Sequence, residues 1–596
     1  MSINRREFIQ VMGMAAAAGM LPACDTKTSG TAGVTKTSKA PKDAYALPKF
    51  GNVTLMHMTD CHAQLMPIYF REPSVNLGIG AAEGKPPHLV GDHLLKYFGI
   101  KPNTMEAHAL TYLNYVDGAK TYGAVGGFSH LSTLVKRVRA DHGPSRTLLM
   151  DGGDTWQGSG TAYWTRGKDM VGACNLLGVD VMTGHWEFTY LEKEVMSNVQ
   201  DFKGDFVAQN IFVSDDAAFD YEYADYAGFN EETGRAFKPY VIKDLDGVRV
   251  AVIGQAFPYT PIANPGRFIP DWTFGIRDTE MQSIVDKVRA NEKPDVVVVI
   301  SHNGMDVDLK MASRVSGIDV IFGGHTHDGV PAPSVIKNKG GQTLVTNAGS
   351  NGKFLGVMQL DVKNGKVQGY DYKLLPVFSN LLEPDPDMAG YIEQVRKPYL
   401  GKLQEELAVA DSLLYRRGNF NGTFDQVIVD ALRTVGGAQI ALSPGFRWGT
   451  TVLPGETITM ENVLDQTCIT YPETYVREMT GATIKTILED VGDNLFNKDP
   501  YYQQGGDMVR VGGMDYTIDP MQTIGKRITD MRLDDGTPIE ASKSYTVAGW
   551  ATVGSKAPGA PIWDVVAEYL REEKVAKVSK LNTPKILNVE GNPGIA

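Results

Sequence analysis

The sequence predicts an α/β protein of two domains joined by a helix, and three observations carry that prediction. Short apolar runs bounded by glycine or polar residues recur as far as about Phe378 and read as buried strands. Several of these runs end in clusters of aspartate and histidine, where an α/β sheet places its ligands, beyond the carboxyl ends of its strands. The stretch Leu382-Glu383-Pro384-Asp385-Pro386-Asp387 then marks a boundary, followed by helical spacing over Met388 to Leu407. At 596 residues the chain has material for two or more sizeable cores.

Taken in order, the chain opens with Asn4-Arg5-Arg6-Glu7-Phe8-Ile9 ahead of the apolar run Val11 to Leu21. This is the pattern of a twin-arginine export signal over residues 1–24, and it places the mature protein in the periplasm. Leu21-Pro22-Ala23-Cys24 reads either as a lipobox, with a lipid on Cys24, or as the neighbourhood of an ordinary peptidase site. Residues 25–49, rich in Thr, Lys, Ser and Gly, read as a flexible tether. A catalytic domain is expected over 50–378, with an insertion at about 64–123 that either serves a site or partner or decorates the surface. A linker helix is expected over 379–407 and a C-terminal domain over 408–596.

Composition narrows the function classes. A net charge of −12 argues against a nucleic-acid surface. No apolar run of ~20 residues follows the signal, so membrane contact is expected only through a lipid on Cys24. Cys61, Cys174 and Cys468 are too few and scattered for a disulfide framework or a zinc cluster. Strand alternation would turn Cys61 away from its neighbours Asp60 and His62, so it reads as packed.

Five separated patches carry the chemistry: Asp60-Cys61-His62, Asp151-Gly152-Gly153-Asp154, Gly184-His185-Trp186-Glu187, Ser301-His302 and Gly323-Gly324-His325-Thr326-His327. Strand-like runs precede them, with Val53 to Met56 before the first, Thr147 to Met150 before the second, Val296 to Ile300 before the fourth and Val320 to Phe322 before the last. Alone, Asp-x-His is commonplace and Gly-Gly-Asp is usually a turn. Together they supply what two catalytic ions ~3.5–4 Å apart require: imidazoles, carboxylates and one bridging carboxylate. Such mixed oxygen and nitrogen ligands suit Mn, Zn or Fe.

The order of these patches resembles the calcineurin-like metallophosphoesterases, specifically their 5′-nucleotidase branch. The resemblance extends through Gly126-Gly127-Phe128-Ser129-His130-Leu131 and, in the C-terminal half, through Ser443-Pro444-Gly445-Phe446-Arg447 and Leu453-Pro454-Gly455-Glu456-Thr457-Ile458-Thr459. It implies a four-layer α/β sandwich followed by a 5′-nucleotidase-type α/β substrate domain. It also implies that Asp60, His62 and His327 hold one divalent ion, that His185, His302 and His325 hold the other, and that Asp154 bridges them. Mn²⁺ is the ion the family implies, and the His-rich second set also admits Zn²⁺. Arg447, Arg416 and Arg417 match the branch's substrate arginines by context, although Arg416-Arg417 also reads as a solvated basic pair.

Two departures stand out. His185 replaces an asparagine of the nucleotidase pattern, and Trp186 replaces the histidine that serves as general acid there. An indole neither ligates nor transfers a proton at neutral pH. The Gly-His-Trp-Glu variant, the long segment after His62 and the export signal resemble the thiosulfohydrolases of sulfur oxidation within this branch. That likeness implies a metal-bound hydroxide that attacks the sulfonate of a cysteine S-thiosulfonate on a sulfur carrier protein of the SoxYZ type, releasing sulfate. The carrier persulfide is an acidic leaving group, since even a free thiol has a pKa near ~8.5, so the missing acid is dispensable. Trp186 then either forms an apolar wall beside the sulfur chain or fills space. The alternative is a periplasmic 5′-nucleotidase, whose alkoxide leaving group benefits from an acid by ~10²–10⁴-fold. Against it, Tyr545-Thr546-Val547-Ala548-Gly549-Trp550 leads into Thr552 to Pro558 instead of the nucleotidase Gly-Gly-Asp-x-Tyr loop, although Trp550 is itself a candidate for stacking. A non-catalytic periplasmic binding protein is a third class, opposed by the full set of ligand positions.

Overall fold

The computed structural model describes residues 44–596, Ser555 excepted. The export signal, Cys24 and most of the tether lie outside the described residues. Within the tether, Tyr45 is already buried in the core, and its hydroxyl accepts a hydrogen bond from the Phe378 amide. The packed chain therefore begins before Phe50, because an aromatic ring there closes the edge of the core.

The catalytic domain is built on twelve strands: β1 (Val53–Met58), β2 (Thr147–Asp151), β3 (Val181–Met182), β4 (Asp205–Phe206), β5 (Tyr240–Leu245), β6 (Val248–Gln255), β7 (Val296–Ser301), β8 (Val320–Gly323), β9 (Ser334–Asn338), β10 (Gly341–Asn347), β11 (Phe354–Lys363) and β12 (Lys366–Pro376). They form two six-stranded sheets, ordered β12-β11-β1-β2-β3-β4 and β9-β10-β8-β7-β6-β5. The inner strands of both sheets pair in parallel, and antiparallel hairpins flank them. Alternation along each strand decides the layering. Val53 and Leu55 of β1 meet Val296, Val298 and Ile300 of β7 in a core between the sheets. Met56 and Met58 face helices on one side, while Val297 and Val299 face helices on the other. The result is four layers, helix-sheet-sheet-helix. Strands buried on both faces have no polar side, which is why they are legible as continuous apolar runs.

The linker is not one helix. A helix over Pro386–Arg396 starts on an Asp385 cap, whose carboxylate accepts from the Met388 amide. Pro398 then removes a backbone donor and crowds the preceding turn, so the chain continues as a 3₁₀ turn and a four-residue helix, Leu400–Leu403. The first strand of the C-terminal domain begins at Glu406, inside the expected linker. That domain packs the helices Thr423–Gly436, Gly481–Phe496 and Ile562–Glu573 against a four-stranded sheet of Thr474–Thr480, Ser544–Trp550, Ile440–Gly445 and Asp507–Gly512.

The insertion lies against both domains. Tyr69 bridges to Thr451 and Val75 to Ile595, while the Leu77 amide donates to Asn419. The Arg71 guanidinium sits between the rings of Tyr112 and Tyr415 at 4.9 and 4.1 Å. Glu72 forms a buried ion pair with Lys353. Among the described residues no helix is long and apolar enough to cross a membrane.

Candidate metal centre

All five patches emerge at the carboxyl ends of parallel strands, on one edge of the sandwich. Asp60 and His62 follow β1, Asp154 follows β2, His185 follows β3, His302 follows β7, and His325 and His327 follow β8. Five of these seven residues adopt left-handed backbone: Asp60 (φ 52°), His62 (44°), Asp154 (59°), His325 (71°) and His327 (60°). That region costs a non-glycine residue on the order of 1–3 kcal/mol and is held only by surrounding structure. The turn, not strand alternation, therefore separates Asp60 and His62 from Cys61, which packs into the helical face of the core.

Asp154 is the meeting point. Its Oδ2 lies 3.0 Å from His302 Nε2, 3.2 Å from His185 Nδ1 and 3.7 Å from His62 Nε2. Asp60 Oδ1 lies 3.2 Å from His327 Nε2 and 3.5 Å from His302 Nε2. The ligand atoms fall into two groups that share Asp154, one with His185, His302 and His325, the other with Asp60, His62 and His327. All seven residues are buried.

The surroundings orient these rings. His302 Nδ1 lies 2.7 Å from the Gly152 carbonyl and donates to it, leaving Nε2 for the centre. His325 Nε2 lies 3.2 Å from the Gln504 carbonyl, leaving Nδ1. Asp60 accepts from the Thr59 hydroxyl at 2.6 Å and from the His325 amide at 3.0 Å. A Cβ at Gly324 would stand 2.4 Å from Thr59 Oγ1, so glycine alone permits this approach. Glu187, which the sequence offered without a role, is a clasp. Its carboxylate accepts from the amides of Asp154, Thr155, Trp156 and His185 at 2.7–3.1 Å, stitching the second patch to the third.

The protonation balance fits divalent ions. Burial pushes His62 down to about 3 and also lowers His185, His325 and His327, so these imidazoles are neutral. Burial opposes charge on His302 too, but Asp154 and Asp60 outweigh it and raise this group to about 10. The protein alone thus sets a proton on His302 beside Asp154, whose carboxyl is held well below its usual range, while burial pushes Asp60 up. His62 Nε2 and His327 Nε2 face each other at 3.0 Å, an approach that a shared proton or a cation satisfies, and His185 Nε2 is buried without a partner among the described residues. Neutral imidazoles around two carboxylates are a donor set for two divalent ions.

Beside the centre lies a cavity of about 210 Å³, lined by ligand histidines, by Arg447 and by aromatic rings. Trp186 stands 5.0 Å from the His185 ring and packs edge-on against Phe446 and Trp448, which stack on each other at 4.0 Å. Phe257 stacks on His325 at 4.1 Å. Phe257 and Trp448 carried no signal in the sequence, since neither sits in a ligand patch. Trp550 is buried behind Phe446 and donates to Ser443, so it does not face the cavity.

The three candidate arginines part company. Arg447 lines the cavity with Nε 3.4 Å from Asp507 and Nη1 buried without a partner among the described residues. Arg417 approaches the Thr326 carbonyl, between two ligand histidines. Arg416 is turned inward and consumed by Asp425, the Gln466 carbonyl and the Pro444 carbonyl, so the structure removes it from the expected substrate arginines. Arg416→Ala is expected to cost about 1.5–3 kcal/mol in a urea melt, because it removes one of the two guanidinium partners of the buried Asp425 carboxylate and leaves Arg510 as the other. Arg447→Ala is expected to keep the melt near that of the parent and to lower kcat/KM for anionic substrates by about 10–100-fold, the worth of one charge-assisted hydrogen bond.

Comparison with known proteins agrees with this architecture. Residues 405–566 match the 5′-nucleotidase C-terminal domain. The solved structure of the sulfate thiohydrolase SoxB from Thermus thermophilus is 34% identical, with a TM-score of 0.84 over 91% of this chain and 98% of that one. The chain belongs to the 5′-nucleotidase family. Its members are hydrolases with a metallophosphoesterase domain ahead of the C-terminal domain, as here. A 5′-nucleotidase precursor, also from Thermus thermophilus, shares the fold at 21% identity and TM-score 0.69, covering 90% of this chain and 99% of that one. Among characterised family members, bovine 5′-nucleotidase is 24% identical over 75% of this chain and 81% of its own length. The trifunctional nucleotide phosphoesterase YfkN of Bacillus subtilis is 27% identical over 72% of this chain, which spans only 30% of that protein.

Proposed function

We propose that this hydrolase is a thiosulfohydrolase that releases sulfate from a cysteine S-thiosulfonate carried by a partner protein. The observation that carries the reading is Trp186, an indole beside His185 where the phosphoesterase chemistry of this family uses an acid. In the reaction the water oxygen bonds to the sulfonate sulfur, the S–S bond breaks and its electron pair leaves with the sulfane sulfur. The products are sulfate and a carrier persulfide. When bound, two divalent ions, Mn²⁺ in this reading, supply Lewis acidity and a water of lowered pKa. Asp60, His62 and His327 would hold one ion and His185, His302 and His325 the other, with Asp154 between them.

The remaining work falls to the protein's own groups. Arg447 offers donors to sulfonate oxygens, which suit a guanidinium fork, and Arg417 stands behind the ligand loop at the Thr326 carbonyl. Trp186, Phe446 and Trp448 exclude water and present apolar faces to the sulfur chain. The leaving sulfur needs no proton, since a thiol is already acidic near ~8.5. The similarity to SoxB supports the same reading. Export by the twin-arginine route to the periplasm is part of the proposal and rests on Arg5-Arg6 and the apolar run that follows.

The test is a substrate panel with the Mn²⁺-loaded protein: a carrier-bound S-thiosulfonate, p-nitrophenyl phosphate and AMP. Rapid sulfate release, slow cleavage of the activated ester and scarcely any phosphate from AMP are expected. Hydrolysis of AMP as fast as the carrier thiosulfonate would replace this reading with that of a 5′-nucleotidase.

A further inference from the structure

We infer that residues 497–506 form a specificity strap, pinned by Tyr501 and touching the metal centre at Gly505, that narrows the cavity to a small tetrahedral anion on a slender stem. The inference rests on the site binding an anion, as proposed above, and is indifferent to which anion is hydrolysed. The strap leaves the C-terminal domain after the helix Gly481–Phe496, crosses onto the catalytic domain and returns at the strand Asp507–Gly512.

The crossing is pinned at one turn. The Asp499 carboxylate accepts from the Tyr501 amide at 2.9 Å and pairs with Lys310 of the catalytic domain, whose ammonium also lies 3.9 Å from the Tyr501 ring centroid. The Tyr501 carbonyl accepts from the Tyr259 hydroxyl, and its own hydroxyl donates to Asp278 at 3.2 Å. One residue thus holds the strap to the catalytic domain by its backbone, its ring face and its hydroxyl.

Three residues on, the backbone becomes the cavity wall. The Gln504 carbonyl accepts a hydrogen bond from His325 Nε2 at 3.2 Å. Gly505 follows at φ +77°, and a Cβ there would stand 2.0 Å from His325 Nε2. Glycine is required twice over, by conformation and by space. The cavity these atoms help to enclose measures about 210 Å³, below the roughly 300–1,000 Å³ of sites that take drug-sized ligands. A nucleoside ester must displace the strap, whereas a compact anion need not. Exclusion of this kind is specificity by clash.

The experiment compares inorganic phosphate with AMP by calorimetry on the full-length Mn²⁺-loaded protein. In the parent, phosphate is expected to bind about tenfold or more tightly than AMP. Tyr501→Ala should tighten AMP and leave phosphate unchanged, drawing the two to within about threefold, while Tyr501→Phe, which keeps the ring over Lys310, should stay near the parent. Asp499→Ala, at a partly exposed position, loosens the same turn and serves if Tyr501→Ala does not fold. AMP binding the parent as tightly as phosphate, or a ratio unmoved in both loosened variants, overturns the strap. Because both probes are read by binding, failure to hydrolyse a thiosulfonate would overturn the proposed reaction and leave the strap standing.

Discussion

Asp154→Ala is expected to strip turnover and metal together. Its Oδ2 is the atom shared by the two ligand groups, within 3.0–3.7 Å of His302, His185 and His62. Its Oδ1 accepts from the Trp186 amide at 2.6 Å, so the same carboxylate also fixes the residue that distinguishes this site. Alanine removes a ligand from both groups at once and leaves that amide buried and unpaired. Loss of several kcal/mol of charge stabilisation corresponds to a fall in turnover of about 10³-fold or more. Elemental analysis of the purified variant should show metal content well below that of the parent, not a loss confined to one ion. Parental metal occupancy with undiminished turnover would end the assignment of Asp154 as the bridging ligand.

The second large effect concerns leaving groups. Trp186→His returns an imidazole to the position beside His185, in reach of a departing oxygen. A positioned general acid is worth ~10²–10⁴-fold where the leaving group is a poor one. Activity on unactivated phosphomonoesters should therefore rise relative to thiosulfonate hydrolysis, with the largest gain on the substrate of highest leaving-group pKa. The parent should show the steeper dependence on leaving-group pKa across a series of aryl phosphates. Placement will limit the gain, because Trp186 packs against Phe446 and Trp448 and a smaller ring leaves space there. An unchanged ratio, together with an unchanged slope, would mean that Trp186 only fills space.

Much of the site was legible because fully buried parallel strands spell unbroken apolar runs, and the polar residues that follow them must serve the sheet's edge. That logic locates Asp60, Asp154, His302, His325 and His327 directly. It does not explain how they converge, since five of the ligands sit in left-handed turns that only the surrounding fold enforces. Arg416 and Arg417 are neighbours of one type in sequence, yet one is bound into the Asp425 network and the other approaches the centre. Only packing tells them apart. Phe257 and the strap were invisible for the same reason: they reach the site from distant segments and carry no ligating atom. Pro398 stood in the sequence, but the helical spacing around it suggested one unbroken linker helix, which the structure divides at that residue.

The pairing of Val75 with Ile595 sets an order of assembly. A segment inserted a few residues after the first metal ligands cannot find its partner until the ribosome has made the C-terminal domain as far as Ile595. Contacts of such long sequence separation form late, after most loop-closure entropy has been spent. The Asp60 and His62 loop is tied within the catalytic domain, to Gly153, Asp154 and Asn351, so the late contact closes the insertion beside it and not the loop itself. The insertion thus waits for residues at the far side of the domain that follows it.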